Sequence, residues 1–245
     1  MFKIALNAGH GLYTAGKRCL KSLDANETRE WVLNSRICNK IEEKLKLYSG
    51  YELIRLDDTS GNTDVALTSR TKKANDWGAN FYLSIHHNAG VNGGSGGGII
   101  SIVYTKASEK SVEWQKALYD SLIKHTNLKG NRSNPLPKQN LHECRESNMP
   151  CVLLELGFMD SSTDVPIVLT EDFADKCATA IVEVLVSKGG LKKSAKTELT
   201  SVKDIVLGLA EKGIITNKEL WLKKLSEDSN SYWLAKKCIN YIRGI

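Results

Sequence analysis

Residues 81–88 read Phe-Tyr-Leu-Ser-Ile-His-His-Asn, a short apolar run that leads directly into two histidines and an asparagine. A run of this length and composition predicts a buried β-strand, which delivers His86 and His87 at its carboxyl end. The chain repeats the arrangement at its beginning, where the β-rich stretch 2–8 runs into a Gly-His-Gly turn at 9–11. The pattern therefore indicates strands that present polar side chains where they end.

Helical patterns separate these strands. From Arg29 onward, apolar residues recur at every fourth position and predict a helix with one buried face. The members of this stripe are Leu33, Ile37, Ile41 and Leu45. Further helices are predicted over 67–78, 108–126 and 172–187, further strands over 51–56, 99–105 and 151–157, and irregular structure over 128–145. Alternating strands and helices predict an α/β fold, a mostly parallel twisted sheet with helices on both faces.

The last part of the chain differs in composition. Glycines and lysines predict a linker over 189–198, between a domain at 1–188 and a small all-α domain at 199–245, where about three short helices are expected. The 11 Lys/Arg and 6 Asp/Glu of 189–245 give 11 − 6 = +5 of the total net charge of +6. This excess indicates either a polyanionic partner or simply a solvated lysine-rich surface.

Cysteine spacing and the amino terminus bear on the compartment. The six cysteines form no C-x-x-C pair, which argues against a disulfide scaffold or a cysteine zinc site. The first apolar stretch is shorter than the core of a signal peptide, and no segment has the roughly 20 apolar residues of a membrane span. We expect synthesis in the cytoplasm without a signal peptide.

Three ionisable residues stand where predicted elements begin or end. His10 follows the first strand, Glu30 opens the first helix, and His86 ends the strand quoted above. Imidazole nitrogens and a carboxylate oxygen are ligands that a catalytic zinc accepts, with water in the fourth position. Each histidine alone is equally compatible with a structural role, and the spacing forms no local motif.

Glu155 interrupts the apolar stretch 151–159. A carboxylate buried there without a partner would have a raised pKa, which suits a general acid or base near neutrality. The alternative is an outward-pointing residue on a half-exposed strand.

Four segments together resemble the zinc-dependent N-acetylmuramoyl-L-alanine amidases of the type-3 family, which includes bacterial autolysins and phage endolysins. They are Ala8-Gly-His-Gly11, Arg29-Glu-Trp-Val-Leu-Asn34, Leu83-Ser-Ile-His-His-Asn-Ala89 and Met149-Pro-Cys-Val-Leu-Leu-Glu-Leu-Gly-Phe-Met159. The resemblance covers about residues 1–187. One departure is that the first strand ends Leu6-Asn7-Ala8, where many relatives carry Asp-Pro.

The resemblance implies that His10, Glu30 and His86 bind Zn²⁺ and that Glu155 is the catalytic carboxylate. Glu27 competes with Glu30 for the second ligand, and the phase of the apolar stripe favours Glu30. The implied reaction is cleavage of the amide bond between N-acetylmuramic acid and L-alanine in peptidoglycan, leading to cell lysis after release of the enzyme to the wall.

Two further residues, Arg145 and Asn88, are candidate substrate contacts, although a surface role suits Arg145 better. The domain at 199–245 is expected to bind the wall, including its anionic polymers, or to mediate self-association, and no nucleic-acid or membrane partner is expected. The competing functions are another peptidoglycan metallohydrolase, such as a peptidase or a deacetylase, and a non-catalytic wall-binding protein.

Overall fold

The computed structural model describes residues 1–194 and 202–227, together with 233, 235 and 237. The chain divides into two compact units, Met1–Lys192 and Lys193–Ile245. No helix of the described residues combines the length and the apolar character needed to cross a membrane.

The larger unit alternates strands and helices. Its strands are β1 (Phe2–Ala8), β2 (Tyr48–Ser49), β3 (Tyr51–Arg55), β4 (Phe81–Asn88), β5 (Ile99–Tyr104), β6 (Lys138–Gln139) and β7 (Cys151–Phe158), and the short β8 (Lys192–Lys193) follows. Its helices are α1 (Glu30–Leu45), α2 (Leu67–Trp77), α3 (Glu109–Thr126), α4 (His142–Glu146), α5 (Val165–Val168) and α6 (Glu171–Gly189).

Six strands form one sheet in the order β3-β1-β4-β7-β5-β6. Strands β3, β1, β4 and β7 are parallel to one another, whereas β5 is antiparallel to β7. The expected fold class, a mostly parallel sheet in an α/β protein, is confirmed.

Helices cover both faces of the sheet. Side chains alternate along each strand, so the strands present apolar side chains on both faces, and each face is buried under helices. Leu83 and Ile85 of β4 pack in the larger core, which also contains the buried residues of α1, α3 and α6. Tyr82 of the same strand faces the opposite side and packs in a second core with Ala74 of α2 and Cys144 of α4. His86 is four residues beyond Tyr82 and therefore emerges on this second face.

Local signals account for the helix limits. The predicted stripe on α1 is confirmed, since its four apolar residues are at most 1% exposed. Helix α2 is terminated by the capping residue Gly78, whose φ of 69° is the left-handed conformation typical of a helix C-terminus. Ser108 caps α3 and Thr170 caps α6, each accepting a hydrogen bond from a backbone N–H three residues later.

The prediction of irregular structure over 128–145 is wrong in part, because the segment contains β6 and the start of α4. Helix α4 was missed because its inner face carries Glu143 next to Cys144, and both residues are buried. A buried glutamate held by hydrogen bonds leaves no apolar periodicity in the sequence.

The smaller unit contains α7 (Val202–Glu211) and α8 (Lys218–Glu227). Among the residues described in this unit, the buried apolar cluster contains Ile205, Val206, Leu209, Ile215 and Leu225. The third helix predicted in this part of the chain lies largely outside the described residues. In the stretch predicted as a linker, α6 runs to Gly189, and Lys192 O accepts a hydrogen bond from Ser49 Oγ at 3.4 Å.

Candidate metal centre

The side chains of His10, Glu30 and His86 converge, although they come from a loop, a helix and a strand. One ligand atom of each residue lies within 4.8 Å of the others. His10 Nε2 is 3.4 Å from Glu30 Oε2, and His86 Nδ1 is 3.0 Å from Glu30 Oε1. This cluster has the donor set and the compactness of a site for a divalent transition metal.

The turn after β1 brings His10 to the cluster through an unusual backbone. His10 has a φ of 65°, in the left-handed region that non-glycine residues rarely adopt. Gly9 precedes it because the imidazole of His86 lies directly against the backbone there. A Cβ on Gly9 would be 2.0 Å from Cε1 of His86.

Arg70 of α2, only 1% exposed, holds this turn from below. Its guanidinium donates to the carbonyls of Ala8 at 2.9 Å and His10 at 3.2 Å. It also donates to Asp64 Oδ1 at 3.0 Å, so that the buried positive charge is paired. Arg70 therefore stabilises the strained segment that carries the first histidine.

Glu30 is oriented by the first turns of α1 and by the end of β4. Its Oε1 accepts from the backbone N–H of His87 at 3.2 Å, and Asn34 Nδ2 lies 3.4 Å from the same oxygen. Asn34 Nδ2 also donates to Gly9 O at 3.1 Å, and Asn34 Oδ1 is 2.8 Å from His87 Nδ1. His87 is therefore tied to Asn34, and of the two adjacent histidines only His86 joins the cluster.

The electrostatics of the site call for a positive charge. Burial by itself lowers the pKa of His86, but its interactions with Glu143 and Glu30 and the charge of nearby carboxylates raise it to about 10. Burial raises the pKa of Glu30, but the hydrogen bond with His86 and the nearby positive charges lower it to about 2. A carboxylate this firmly ionised beside two imidazoles is a ready cation ligand.

Glu155 lies beside the cluster, since it is the register partner of His86 in the neighbouring strand β7. Paired residues of parallel strands point to the same face of the sheet. Its Oε2 is buried without a hydrogen-bond partner. Burial is the main cause that raises the pKa of Glu155, to about 7, with Glu30 and Glu143 contributing in the same direction. The carboxyl group can exchange a proton near neutral pH.

A cavity of about 320 Å³ opens beside the two histidines. Its walls are formed by Arg70 and the segment Asp64–Leu67 at the start of α2, together with His10 and His86. The cluster is therefore reachable by a ligand larger than water.

Comparison with known proteins identifies the family. Residues 4–187 match the family model described as N-acetylmuramoyl-L-alanine amidase. The chain belongs to this amidase family. The family match and the relatives below support the function of a peptidoglycan amidase, so the sequence-based expectation is confirmed.

Individual relatives agree with this assignment. The amidase is 31% identical over 205 residues to the sporulation-specific N-acetylmuramoyl-L-alanine amidase of Bacillus subtilis, covering 82% of this chain and 74% of that protein. It is 28% identical over 215 residues to the endolysin of Bacillus phage SPP1, covering 81% and 75% of the two chains. Among solved structures, the N-acetylmuramoyl-L-alanine amidase of Clostridium difficile 630 superimposes with a TM-score of 0.68 at 25% identity, over 77% of this chain and 97% of that one.

The other residues singled out from the sequence have defined places in the amidase. The competing ligand Glu27 forms an ion pair with Arg18 at 3.2 Å and is not part of the cluster. Asn88 ends β4, and its Oδ1 accepts from the N–H of Ala89 at 2.8 Å. Arg145 lies on α4, where its guanidinium donates to Glu146 at 2.6 Å and to Asn140 at 2.9 Å.

Sequence reasoning missed three residues near the centre. They are Lys17, whose Nζ is 3.8 Å from Glu30 Oε2, the buried Arg70, and the buried Glu143. Lys17 and Arg70 stand in polar surroundings that gave no signal. Glu143 stands one residue before a buried cysteine, and the spacing of Leu141 and Cys144 was the one hint that this segment is a helix with an inner face.

Proposed function

We propose that the amidase is zinc-dependent and that His10, Glu30 and His86 are its metal ligands. The observation that carries the proposal is the convergence of two imidazole nitrogens and a carboxylate oxygen within 4.8 Å. Two nitrogens and one oxygen form the three-ligand set of a catalytic zinc that keeps a position for water.

The surroundings of these residues fit a bound cation. Glu30 Oε2 is buried and accepts no hydrogen bond, so a lone pair of this oxygen is available to a cation, with His10 Nε2 at 3.4 Å and Lys17 Nζ at 3.8 Å beside it. Gly9 leaves room for the His86 ring, and Asn34 and the N–H of His87 hold Glu30 in place. The centre is thus prepared by the protein itself.

A zinc ion in such a site supplies a water of lowered pKa and polarises the scissile carbonyl. The remaining chemistry falls to Glu155. This carboxylate can take a proton from the attacking water and pass it to the leaving nitrogen of L-alanine. Its register pairing with His86 in the sheet supports this role.

The cavity at the centre offers the substrate one partly apolar wall. Val65, Ala66 and Leu67 line it together with the two histidines. We assign this space to the lactyl group and the first residues of the stem peptide. Asn88, at the end of β4, and Arg145, whose fork geometry suits a stem-peptide carboxylate, are proposed as outer contacts.

The experiment combines metal analysis with product analysis. Purified enzyme should lose activity in a zinc chelator and regain it with added zinc, and digestion of cell walls should release new free amines on L-alanine. Free amines on other residues or on sugars would instead indicate a peptidase or a deacetylase. Activity that survives complete removal of the metal would refute zinc dependence.

Two variants separate the roles of ligand and base. Glu155→Gln should retain zinc and lose activity by about 10²–10⁴-fold, the usual contribution of a general acid–base group. His86→Ala should lose the metal itself. Elemental analysis of both purified proteins distinguishes these outcomes, and loss of zinc from Glu155→Gln would contradict the assignment.

For the part of the chain at 199–245 we propose binding to the cell wall or self-association, in an enzyme that acts as an endolysin. The basic excess of this part of the sequence supports an anionic wall polymer as its ligand. Trp233 is 57% exposed, and Lys237 Nζ lies 4.0 Å from its ring centroid. Cosedimentation of full-length Glu155→Gln with walls stripped of anionic polymers should show weaker binding than with untreated walls, and equal binding would refute this ligand.

A further inference from the structure

Glu143 is a buried carboxylate for which the mechanism above has no use. It is 3% exposed and projects from the short helix α4 onto the face of the sheet that also carries His86. A charged group in such a place is costly unless its surroundings compensate it. Its contacts therefore indicate why it is there.

One oxygen of Glu143 is fixed by donors from the strands below it. Oε1 accepts from Asn7 Nδ2 at 2.8 Å and from the hydroxyl of Tyr82 at 2.6 Å. Ser84 Oγ lies 3.2 Å from both carboxylate oxygens and itself accepts from Asn7 at 2.9 Å. These contacts set the plane of the carboxylate.

The other oxygen is directed at His86, one of the proposed metal ligands. Glu143 Oε2 lies 3.7 Å from Nε2 of His86, and this buried nitrogen has no hydrogen-bond partner. The opposite nitrogen, Nδ1, is the one that faces Glu30 at 3.0 Å. Such contacts are often long without the ligand and shorten when the site is filled.

The departure at Asn7 has a physical explanation in this arrangement. The amide of Asn7 donates to Glu143, and its Oδ1 accepts from Arg70 at 2.5 Å. An aspartate at this position would place a second carboxylate about where the amide nitrogen now lies. Asn7 and Glu143 therefore belong to one arrangement.

We propose that Glu143 is a positioning residue that receives the Nε2 proton of His86 in a hydrogen bond and leaves Nδ1 free to bind the metal. A carboxylate partner on the outer nitrogen fixes both the tautomer and the ring orientation of a metal-binding histidine. Asn7 of β1 donates a hydrogen bond to this carboxylate, so that the strand stabilises its negative charge instead of repelling it. The inference rests on the proposed zinc centre.

The test is Glu143→Gln, compared with Tyr82→Phe. Donors from Asn7 and Tyr82 require an acceptor at the Oε1 position, so the new amide nitrogen must face His86 and oppose a proton on Nε2. Zinc affinity, measured by competition with a chromogenic chelator, should fall by about 10–100-fold, the usual cost of losing such a partner. Tyr82→Phe removes a hydrogen bond from the same carboxylate without touching His86, and its zinc affinity should stay within about threefold of the wild type, far below that cost.

A second readout does not depend on activity. In zinc-loaded protein labelled with ¹⁵N-histidine, the Nε2 proton of His86 should resonate far downfield and exchange slowly, and both properties should be lost in Glu143→Gln but kept in Tyr82→Phe. Wild-type affinity and an unchanged resonance in Glu143→Gln would overturn the inference while leaving the zinc centre intact. Wild-type protein that binds no zinc would instead refute the proposed function.

Discussion

Replacing Gly9 by alanine tests the geometry of the metal centre most directly. The added Cβ would lie 2.0 Å from Cε1, 2.3 Å from Nε2 and 2.4 Å from Nδ1 of His86. Carbon atoms in contact are normally about 3.5 Å apart, so the ring or the turn must retreat by roughly 1.5 Å. The neighbouring backbone cannot yield easily, because Gly9 N donates to Ile85 O at 2.9 Å and Asn34 donates to Gly9 O.

A displacement of this size removes His86 Nδ1 from its place beside Glu30. Misplacing a reacting or binding group by about 1 Å costs about 10²-fold, so we expect zinc affinity to fall by at least about that factor, or about 2.7 kcal/mol. Catalytic activity at limiting zinc should fall in parallel. Chelator-treated Gly9→Ala should remain folded, since the clash affects one side chain near the carboxyl end of β4.

The assay is zinc competition together with thermal unfolding, with Gly16→Ala as the control. Gly16 has a φ of 74° and no atom within 4 Å of an added Cβ, so alanine there costs about 1 kcal/mol of backbone strain without steric contact. Gly16→Ala should lose stability and keep its zinc affinity. If Gly9→Ala binds zinc as tightly as the wild type, the close approach of His86 to this turn is not as described and the assignment of the ligands is undermined.

Three further predictions concern the surroundings of the site. In chelator-treated protein, the pKa of Glu155 is raised from 4.5 to about 7, so the folded state binds a proton that the unfolded state has lost in this pH range. Relative to Glu155→Gln, the free energy of unfolding should therefore fall by about 3 kcal/mol between pH 5 and pH 8. Urea unfolding at the two pH values measures this fall, and an equal pH dependence in both proteins would contradict it. Arg70→Lys should lower the free energy of unfolding by about 3 kcal/mol, because a lysine cannot reach the carbonyls of Ala8 and His10 and the carboxylate of Asp64 at once. A loss below about 1 kcal/mol in a urea titration, which is the level of a surface ion pair, would refute the role of Arg70 in stabilising this turn. Asp160→Asn should cost about 1–2 kcal/mol, since Oδ2 accepts three backbone N–H groups from Gly90, Val91 and Asn92, and hydrogen exchange should accelerate at these amides but not at the distant N–H of Phe173.

The fold class was accessible from the sequence because its signals are local, whereas the central cluster was assigned through the resemblance of four segments to a known family. Alternating strands and amphipathic helices follow from periodicity, as the confirmed stripe on α1 illustrates. His10 and His86 stand at strand ends, and parallel strands bring such ends to one edge of a sheet. The proposed ligands could therefore be suggested before any coordinates, although spacing alone left each histidine open to a structural reading.

The partners of these ligands could not be obtained in this way. Arg70 is 60 residues from His10 and Glu143 is 57 residues from His86, so no periodicity relates either pair. A buried charge is stabilised by whichever donors the tertiary structure brings to it, and those donors leave no pattern along the chain. The sequence by itself determined the longer strands and helices and the chemical types at their ends, but not short elements such as β6 and α4. Only the packing of α2 and α4 onto the sheet decided which polar side chains hold those groups in place.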